Sequence, residues 1–322
     1  KDPDKTGVES TASQLAQKML IGWNIGNSLE VPYNETAWGN PKTSQRLIDS
    51  VKAAGFNAIR IPCAWNSYSS SSTAKIEESW LNRVEEVVNY CLNNNMYAIM
   101  NIHWDGGWLE ENPVYTKQEE VNFKQKAFWE QIATHFRDYN EKLLFAGTNE
   151  VHRGYGTPSS ENIEVQESYN QTFVDAVRST GGKNAYRNLI VQTYNTNINH
   201  GLTYFSLPDD QVDNRLMVEV HYYDPYNFTL NTDLNSACTQ WGEPFSDGDV
   251  CDWGQEAHVD GQFEELKQEF VNRGVPVILG EYGVIHRTSL SGEEYEKHVE
   301  ARKYYLGYVT KKAVENGVIP FY

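Results

Sequence analysis

The chain has 322 residues, with 27 Lys and Arg against 44 Asp and Glu, which gives a formal net charge of −17. This evenly distributed acidity argues against nucleic acid or an anionic membrane surface as a partner, because phosphate binding needs clustered Lys and Arg. A hydrophobic fraction of 39% suffices for a large core and argues against disorder. No apolar run approaches the roughly 18 residues of a membrane span. The 9 Trp and 20 Tyr are compatible with core packing and with stacking on sugar rings.

Short apolar runs alternate with amphipathic stretches along the chain. Strands are predicted near 20–26, 57–62, 96–102, 142–147, 188–193, 215–221, 276–281 and 317–322. Helices are predicted near 42–54, 78–94, 118–139, 163–179, 261–273 and 294–315, with a weaker signal at 200–206. Eight strands with interleaved helices predict a single-domain (β/α)8 TIM barrel over residues 1–322. A doubly wound sheet is the alternative, but no Gly-rich nucleotide-binding turn follows the first strand.

The eighth predicted strand ends at Tyr322 and no helix follows it. A barrel without its last helix would expose the flank of strands 8 and 1, so we expect the natural chain to continue beyond this residue.

The cysteines and the segment 222–260 allow more than one interpretation. Cys63 and Cys91 lie in apolar segments and are expected to be buried thiols, whereas Cys238 and Cys251 flank a loop and are equally compatible with a disulfide or with free thiols. The acidic run at 247–252 does not match an EF-hand, so a solvated loop is favoured over a calcium site. A segment this long and rich in Asn, Asp, Gly and aromatic residues is typical of a functional loop.

Polar side chains stand where the predicted strands end. In a parallel barrel these ends converge on one face, where active sites form. Glu150 follows strand 4 and Glu281 ends strand 7, so the two carboxylates should face each other across the mouth. Paired carboxylates suit glycosidic bond cleavage, although either Glu alone would more often be an ordinary surface charge. The full predicted ring is Asn27, Arg60, His103, Asp105, Asn149, Glu150, His221, Tyr223 and Glu281.

Six segments in order resemble glycoside hydrolase family 5, and within it the endo-β-1,4-glucanase and xyloglucanase subgroup. They are GWNIGNSLE (22–30), FNAIRIP (56–62), NIHWD (101–105), TNE (148–150), HYY (221–223) and LGEYG (279–283). The resemblance covers nearly the whole chain. It implies a TIM barrel and a retaining double-displacement mechanism that needs no cofactor and no metal.

The resemblance also implies roles for individual residues. Glu150 matches the general acid/base and Glu281 the nucleophile. Arg60 matches the arginine that keeps the nucleophile ionised, and Asn149 the asparagine that binds the sugar 2-hydroxyl. The other implied substrate contacts are His103, His221, Tyr223 and Asn27, together with Trp104 in a loop that could stack on a sugar.

The chain departs from the family pattern at several positions. Val151 stands where Pro often follows the acid/base, Ala146 where strand 4 often has Glu, and Trp104 where a second His is frequent. The family usually has a Trp just after strand 8, and the sequence given ends at Tyr322. Four other tryptophans in predicted loops could either stack on sugars or pack locally: Trp65, Trp108, Trp241 and Trp253.

The sequence therefore predicts a retaining endo-β-1,4-glucanase that acts on cellulose-like glucan, mixed-linkage glucan or xyloglucan. A polymer too large to enter a cell implies that the protein is secreted, periplasmic or at the cell surface, and we expect a monomer. A β-mannanase or xylanase on the same barrel is the main alternative, because loops decide the substrate. A non-catalytic sugar-binding barrel is disfavoured because both carboxylates are present. An aldolase or lyase would need a Lys or a metal-binding cluster at the strand ends, and neither occurs.

Overall fold

The computed structural model describes residues 1–322 and contains eight parallel strands in the order β1 to β8. The barrel closes between β8 and β1, where the Tyr322 amide donates to the Gly22 carbonyl at 3.0 Å and the Asn24 amide to the Tyr322 carbonyl at 2.7 Å. The predicted (β/α)8 barrel is confirmed. The strands are β1 (Gly22–Asn24), β2 (Ala58–Ile61), β3 (Tyr97–Asn101), β4 (Leu143–Ala146), β5 (Leu189–Gln192), β6 (Leu216–Tyr222), β7 (Val277–Tyr282) and β8 (Val318–Pro320).

Every predicted helix is present, and two short helices, α1 (Ala12–Ala16) and α7 (Tyr226–Thr229), were not predicted. The helices are α1 (Ala12–Ala16), α2 (Gln45–Ala53), α3 (Glu78–Asn93), α4 (Tyr115–His135), α5 (Ser160–Ser179), α6 (Ile198–Tyr204), α7 (Tyr226–Thr229), α8 (Glu256–Glu269) and α9 (Gly292–Glu315). The start of α5 precedes the predicted residue 163 because the Ser159 hydroxyl accepts from the Asn162 amide and caps the helix there. None of these helices is long and apolar enough to cross a membrane.

The short helix α1 closes the bottom of the barrel. Its residues Ala12 and Leu15, with Met19 just beyond it, are buried against the apolar side chains that point into the barrel. Five residues carry too little periodicity to be predicted as a helix from sequence. The contact removes the lower end of the barrel interior from water, so the mouth is the end that is left for chemistry.

The barrel interior changes from apolar to polar along the strands. Near the bottom the inward positions are apolar, for example Ile99, Leu144 and Ile278. Since side chains alternate along a strand, the next inward positions lie two residues further on, and many of these are polar and buried. They include Arg60, Asn101, Thr148, Gln192 and Glu219. A buried polar layer of this kind must be internally hydrogen-bonded, and it therefore forms a rigid floor under the mouth.

Two larger apolar clusters fill the space between the strands and the helices. The structure also decides how the four cysteines and two of the loop tryptophans are used. Cys63 and Cys91 are buried free thiols, as predicted. Cys238 and Cys251 form a disulfide within the loop that follows β6. Trp65 and Trp241 are completely buried in the two clusters, and their indole nitrogens donate to the carbonyls of Asn101 and Gly254. These two tryptophans therefore pack locally and do not stack on a sugar.

Candidate active site

The two predicted catalytic carboxylates meet at the mouth of the barrel. Glu150 follows β4 and Glu281 lies on β7, and ligating oxygens of both lie within 4.8 Å of one another and of a ring nitrogen of His221. A separation near 5 Å is typical of glycosidases in which one carboxylate attacks the sugar, whereas inverting enzymes need about 6.5 Å or more to fit a water molecule. The spacing thus favours a covalent, retaining mechanism.

A β-bulge aims Glu281 into the mouth. Val220 of β6 pairs with Leu279 of β7, but the next residue, His221, pairs with Glu281, so Gly280 is an extra residue in β7. A bulge of this kind reverses which face the following side chain points to. Without it, strict alternation from the inward Ile278 and Gly280 would direct Glu281 outward toward the helices.

Arg60 on β2 fixes the nucleophile candidate. The guanidinium is fully buried and donates to Glu281 Oε1 at 2.8 Å and to Asn149 Oδ1 at 2.9 Å. Burial by itself raises the pKa of Glu281, but the positive charges of His221 and Arg60 outweigh it and hold that pKa well below its usual range. Glu281 is therefore ionised at any pH near neutrality, as a nucleophile requires.

The two histidines of the site have opposite charge states. His221 Nδ1 lies 2.6 Å from Glu150 Oε1, and its Nε2 lies 3.1 Å from Glu219 Oε1. Burial lowers the pKa of His221, but the surrounding carboxylates raise it to about 10, so the ring is an imidazolium that donates from both nitrogens. His103 has no carboxylate that close, and burial lowers its pKa to about 3, so its ring is neutral.

Three further predicted contacts lie around the mouth. The Tyr223 hydroxyl donates to Glu281 Oε2 at 3.0 Å, and burial raises the pKa of this phenol well above its usual value, so it keeps its proton. Trp104 is 37% exposed and its indole nitrogen donates to Glu111 at 2.9 Å, which fixes the ring in the loop after β3. Asn27 is exposed in the loop after β1, where its backbone amide donates to the Glu30 carboxylate.

The structure removes one residue from the predicted ring. Asp105 is buried, and its carboxylate accepts from the backbone amides of Trp65 and Ser67. It therefore holds the loop after β2 and does not face the mouth, so its assignment to the ring was wrong. Of the remaining loop tryptophans, Trp108 is half-buried against Phe128, and Trp253 stays exposed.

A cavity of about 790 Å³ opens from the carboxylate pair toward the loops that follow β4, β5 and β6. Glu150 and Glu281 both line this cavity. Besides the catalytic groups it is lined by aromatic and amide side chains: Tyr155, Asn195, Asn197, Tyr226 and Gln262. Aromatic faces and amides are the groups that stack on and hydrogen-bond sugars.

Glu150, His221 and Glu281 also have the spacing of a metal-binding cluster. The imidazolium form of His221 has no lone pair to give to a cation, because both ring nitrogens carry protons. A divalent ion there would have to displace a proton that the neighbouring carboxylates hold in place. The protonated ring therefore makes His221 a poor metal ligand in this arrangement.

The comparison with protein families identifies the chain. The model described as "Cellulase (glycosyl hydrolase family 5)" matches residues 24–317. The chain belongs to this family.

Two characterised relatives of this family 5 chain are endo-acting glucanases. A xyloglucan-specific endo-β-1,4-glucanase of Bacteroides ovatus is 43% identical over 99% of this chain and 66% of its own length. Endoglucanase A of Paenibacillus barcinonensis is 38% identical over 97% of this chain and 82% of its own length. The family 5 chain thus spans about two thirds of the first relative.

Solved structures agree in fold along the whole chain. A Bacteroides ovatus family 5 xyloglucanase in complex with a XXXG heptasaccharide superposes with a TM-score of 0.97 at 42% identity, covering 100% of this chain and 72% of that one. A broad-specificity endoglucanase of Ruminococcus champanellensis with bound cellotriose gives a TM-score of 0.85 at 36% identity, covering 97% and 88%.

Two carboxylates of the family 5 site were missed by the sequence analysis, Glu110 and Glu219. Glu110 lies in the loop between β3 and α4, is only 6% exposed, and its Oε2 accepts from Asn149 Nδ2 at 2.9 Å and from the Glu150 amide at 3.3 Å. Because Arg60 donates to the other end of the Asn149 amide, Glu110 fixes which way the amide points. One Nδ2 proton of Asn149 is then left for a substrate hydroxyl.

Replacing Glu110 tests this orientation. Burial raises the pKa of Glu110 to about 7, so below that pH the group is largely protonated and Gln is its neutral counterpart. We expect Glu110→Leu to lower kcat/KM by up to about 100-fold, because the Asn149 amide loses the acceptor that orients it, and Glu110→Gln to restore most of the activity. Initial rates on 4-nitrophenyl cellobioside at pH 6 measure both. The same rates are then measured on the 2-deoxy analogue of this substrate, which lacks the 2-hydroxyl on the sugar next to the leaving group. If Glu110→Leu lowers kcat/KM on the analogue as much as on the parent substrate, the effect does not act through Asn149.

Proposed function

We propose that this chain is a retaining endo-β-1,4-glucanase whose substrates include xyloglucan. The observation that carries the proposal is the carboxylate pair, Glu150 and Glu281, whose oxygens lie within 4.8 Å at the mouth of the barrel. One of the two is held ionised by Arg60 and His221, as a nucleophile must be. The functions of the family 5 relatives support the same reaction.

The geometry assigns a distinct task to each residue. Glu281 attacks the anomeric carbon while Glu150 donates its proton to the glycosidic oxygen, and a covalent glycosyl ester forms on Glu281. Glu150, now ionised, takes a proton from a water that cleaves the ester, which restores both groups and retains the anomeric configuration. Asn149 is placed to bind the 2-hydroxyl, a contact that strengthens toward the transition state. Tyr223 steadies Glu281 through its hydroxyl.

The cavity beside Glu150 supports a polymeric and branched substrate. Its volume of about 790 Å³ exceeds what one glucosyl unit needs, and its Tyr and Asn lining suits stacking and hydrogen bonding to several sugars. The relative from Bacteroides ovatus is xyloglucan-specific, and its solved counterpart is in complex with a xyloglucan heptasaccharide. We therefore place xyloglucan first among the substrates, with cellulose-like and mixed-linkage glucans after it.

The size of such a substrate bears on where the protein works. A polysaccharide does not cross a cell membrane, so the enzyme is proposed to act outside the cytoplasm, either secreted, periplasmic or at the cell surface. We further propose that it acts as a monomer, since all the candidate catalytic residues come from one chain.

A panel of polymers tests the proposed activity. Initial rates on xyloglucan, barley β-glucan, carboxymethyl-cellulose, mannan and xylan should be highest on xyloglucan, and early products should span a range of lengths, as expected of an endo-acting enzyme. Proton NMR at early times should show the β-anomer forming first. Hydrolysis of mannan or xylan alone would keep the mechanism and overturn the substrate, whereas first appearance of the α-anomer would overturn the retaining mechanism.

A further inference from the structure

Five charged side chains form one connected group at the mouth, here called the mouth cluster: Arg60, Glu150, Glu219, His221 and Glu281. Arg60 pairs with Glu219 at 2.9 Å and with Glu281 at 2.8 Å. His221 bridges Glu150 at 2.6 Å and Glu219 at 3.1 Å. Glu150 and Glu281 have roles in the proposed reaction, but Glu219 touches neither and lies below them in the barrel.

Glu219 is built into the barrel floor. Its side chain is fully buried, and its Oε2 accepts from Gln192 Nε2 at 2.6 Å. Gln192 in turn accepts through its Oε1 from the Thr148 amide at 2.9 Å, which joins β5 to the turn that carries Glu150. At Gly280, a Cβ atom would overlap the Glu219 carboxylate. The extra residue of the β7 bulge therefore also provides the space that Glu219 fills.

The charges of the mouth cluster balance only if one carboxyl carries a proton. Three carboxylates against one guanidinium and one imidazolium leave a net charge of −1, and an uncompensated charge in a buried site is costly. Arg60 and His221 hold Glu281 ionised, and Glu219 lies between the same two cations. The proposed mechanism requires a proton on Glu150, and that proton would make the mouth cluster neutral.

The proposed reaction keeps this balance. Before the sugar reacts, Glu150 is protonated and Glu281 is an anion. After the proton has moved to the glycosidic oxygen, Glu150 is an anion and Glu281 is an uncharged ester. Glu219 and the two cations contribute the same +1 in both states, so the cluster is neutral before and after the step. With a neutral residue at 219, the same step would begin and end with an excess positive charge.

We propose that Glu219 is a positioning residue that keeps His221 as an imidazolium with its Nδ1–H directed at Glu150, while its own negative charge offsets the pull of that cation on the catalytic proton. This inference rests on the proposed roles of Glu150 and Glu281. The titratable and charged groups that face the Glu150–His221 pair come from β2, β3, β4, β6 and β7 or from the loops that follow them. They are Arg60 from β2, His103 and Glu110 after β3, His152 after β4, Glu219 and Tyr223 from β6, and Glu281 from β7.

Glu219→Gln is the direct test. Removing one negative charge should release one proton from the Glu150–His221 pair at working pH, so the alkaline limb of the kcat/KM profile on a cello-oligosaccharide should move to lower pH by about one unit or more. The matched control is Glu85→Gln, which neutralises another Glu–His pair, 3.0 Å from His135 and away from the mouth, and should leave the profile unchanged. A purely structural role for Glu219 would lower the rate equally at all pH values, and that outcome would overturn the proposal.

A second measurement does not depend on activity or on folding of the Glu219→Gln variant. In wild-type protein labelled with ¹⁵N-histidine, the His221 signal, assigned by its loss in His221→Asn, should show both ring nitrogens protonated from pH 5 to about pH 8. Titration of His221 in that range would overturn the proposal, even in an enzyme that hydrolyses glucan as expected. Conversely, an inactive protein with His221 persistently protonated would contradict the proposed function and leave the charge arrangement standing.

Discussion

Glu281→Ala is expected to lower kcat on glucan by about 10⁴ or more, because no other group at the mouth can form the covalent bond to the anomeric carbon. Arg60 keeps Glu219 as a partner in this variant, so the fold should survive the change. Initial rates of wild type and variant on the preferred glucan measure the effect, and thermal melting of both shows whether the structure is retained.

Azide distinguishes loss of the nucleophile from general damage to the site. In Glu281→Ala the small anion can enter the space that the carboxylate left and attack the sugar directly, so the product should be an α-glycosyl azide. The control is Glu269→Ala, which removes an exposed helix carboxylate that pairs with Arg273 and should retain wild-type rates. Residual activity within about tenfold of wild type, in a variant free of contaminating enzyme, would contradict the role of Glu281.

Glu150→Ala is expected to show a loss that depends on the leaving group. On glucan, whose leaving group needs a proton, kcat/KM should fall by about 10² to 10⁴. On 2,4-dinitrophenyl cellobioside, whose leaving group needs no proton, kcat/KM should change little. Hydrolysis of the glycosyl ester then lacks its base, so the intermediate should accumulate and give a burst of dinitrophenol.

Azide should accelerate the Glu150→Ala variant and yield a β-glycosyl azide, because it attacks the ester from the face that water normally uses. The two variants thus predict azide products of opposite configuration. An α-azide from Glu150→Ala and a β-azide from Glu281→Ala would exchange the roles assigned to the two residues, although both would still be catalytic.

Much of the site could be placed from the sequence because parallel strands end at one face. Reading the residues at those ends gave Arg60, Asn149, Glu150, His221 and Glu281, all of which meet at the mouth. Asp105 was misplaced because a loop acid that caps backbone amides has the same sequence position as one that faces a cleft. Trp65 and Trp241 were ambiguous for the same reason, since a loop position does not fix burial.

Glu110 and Glu219 had weaker signals. Glu219 stands two residues before His221, so alternation along β6 puts both on the inner face, and a charged residue within an apolar strand was the available clue. Glu110 had no comparable signal, because its position depends on how the loop after β3 folds back over Asn149. Loops of this kind are positioned by contacts between distant parts of the chain.

The sequence by itself determined the barrel, its eight strands and the order of polar residues around the mouth, because these follow from local periodicity and from the direction of parallel strands. The tertiary structure alone decided the charge of each group. Burial and charged neighbours are both set by residues that are distant in sequence: burial makes His103 neutral, whereas the surrounding carboxylates make His221 cationic and the positive charges of His221 and Arg60 make Glu281 anionic. It also decided that Glu281 points inward, since a bulge at Gly280 is a property of the pairing between β6 and β7 and not of either strand alone.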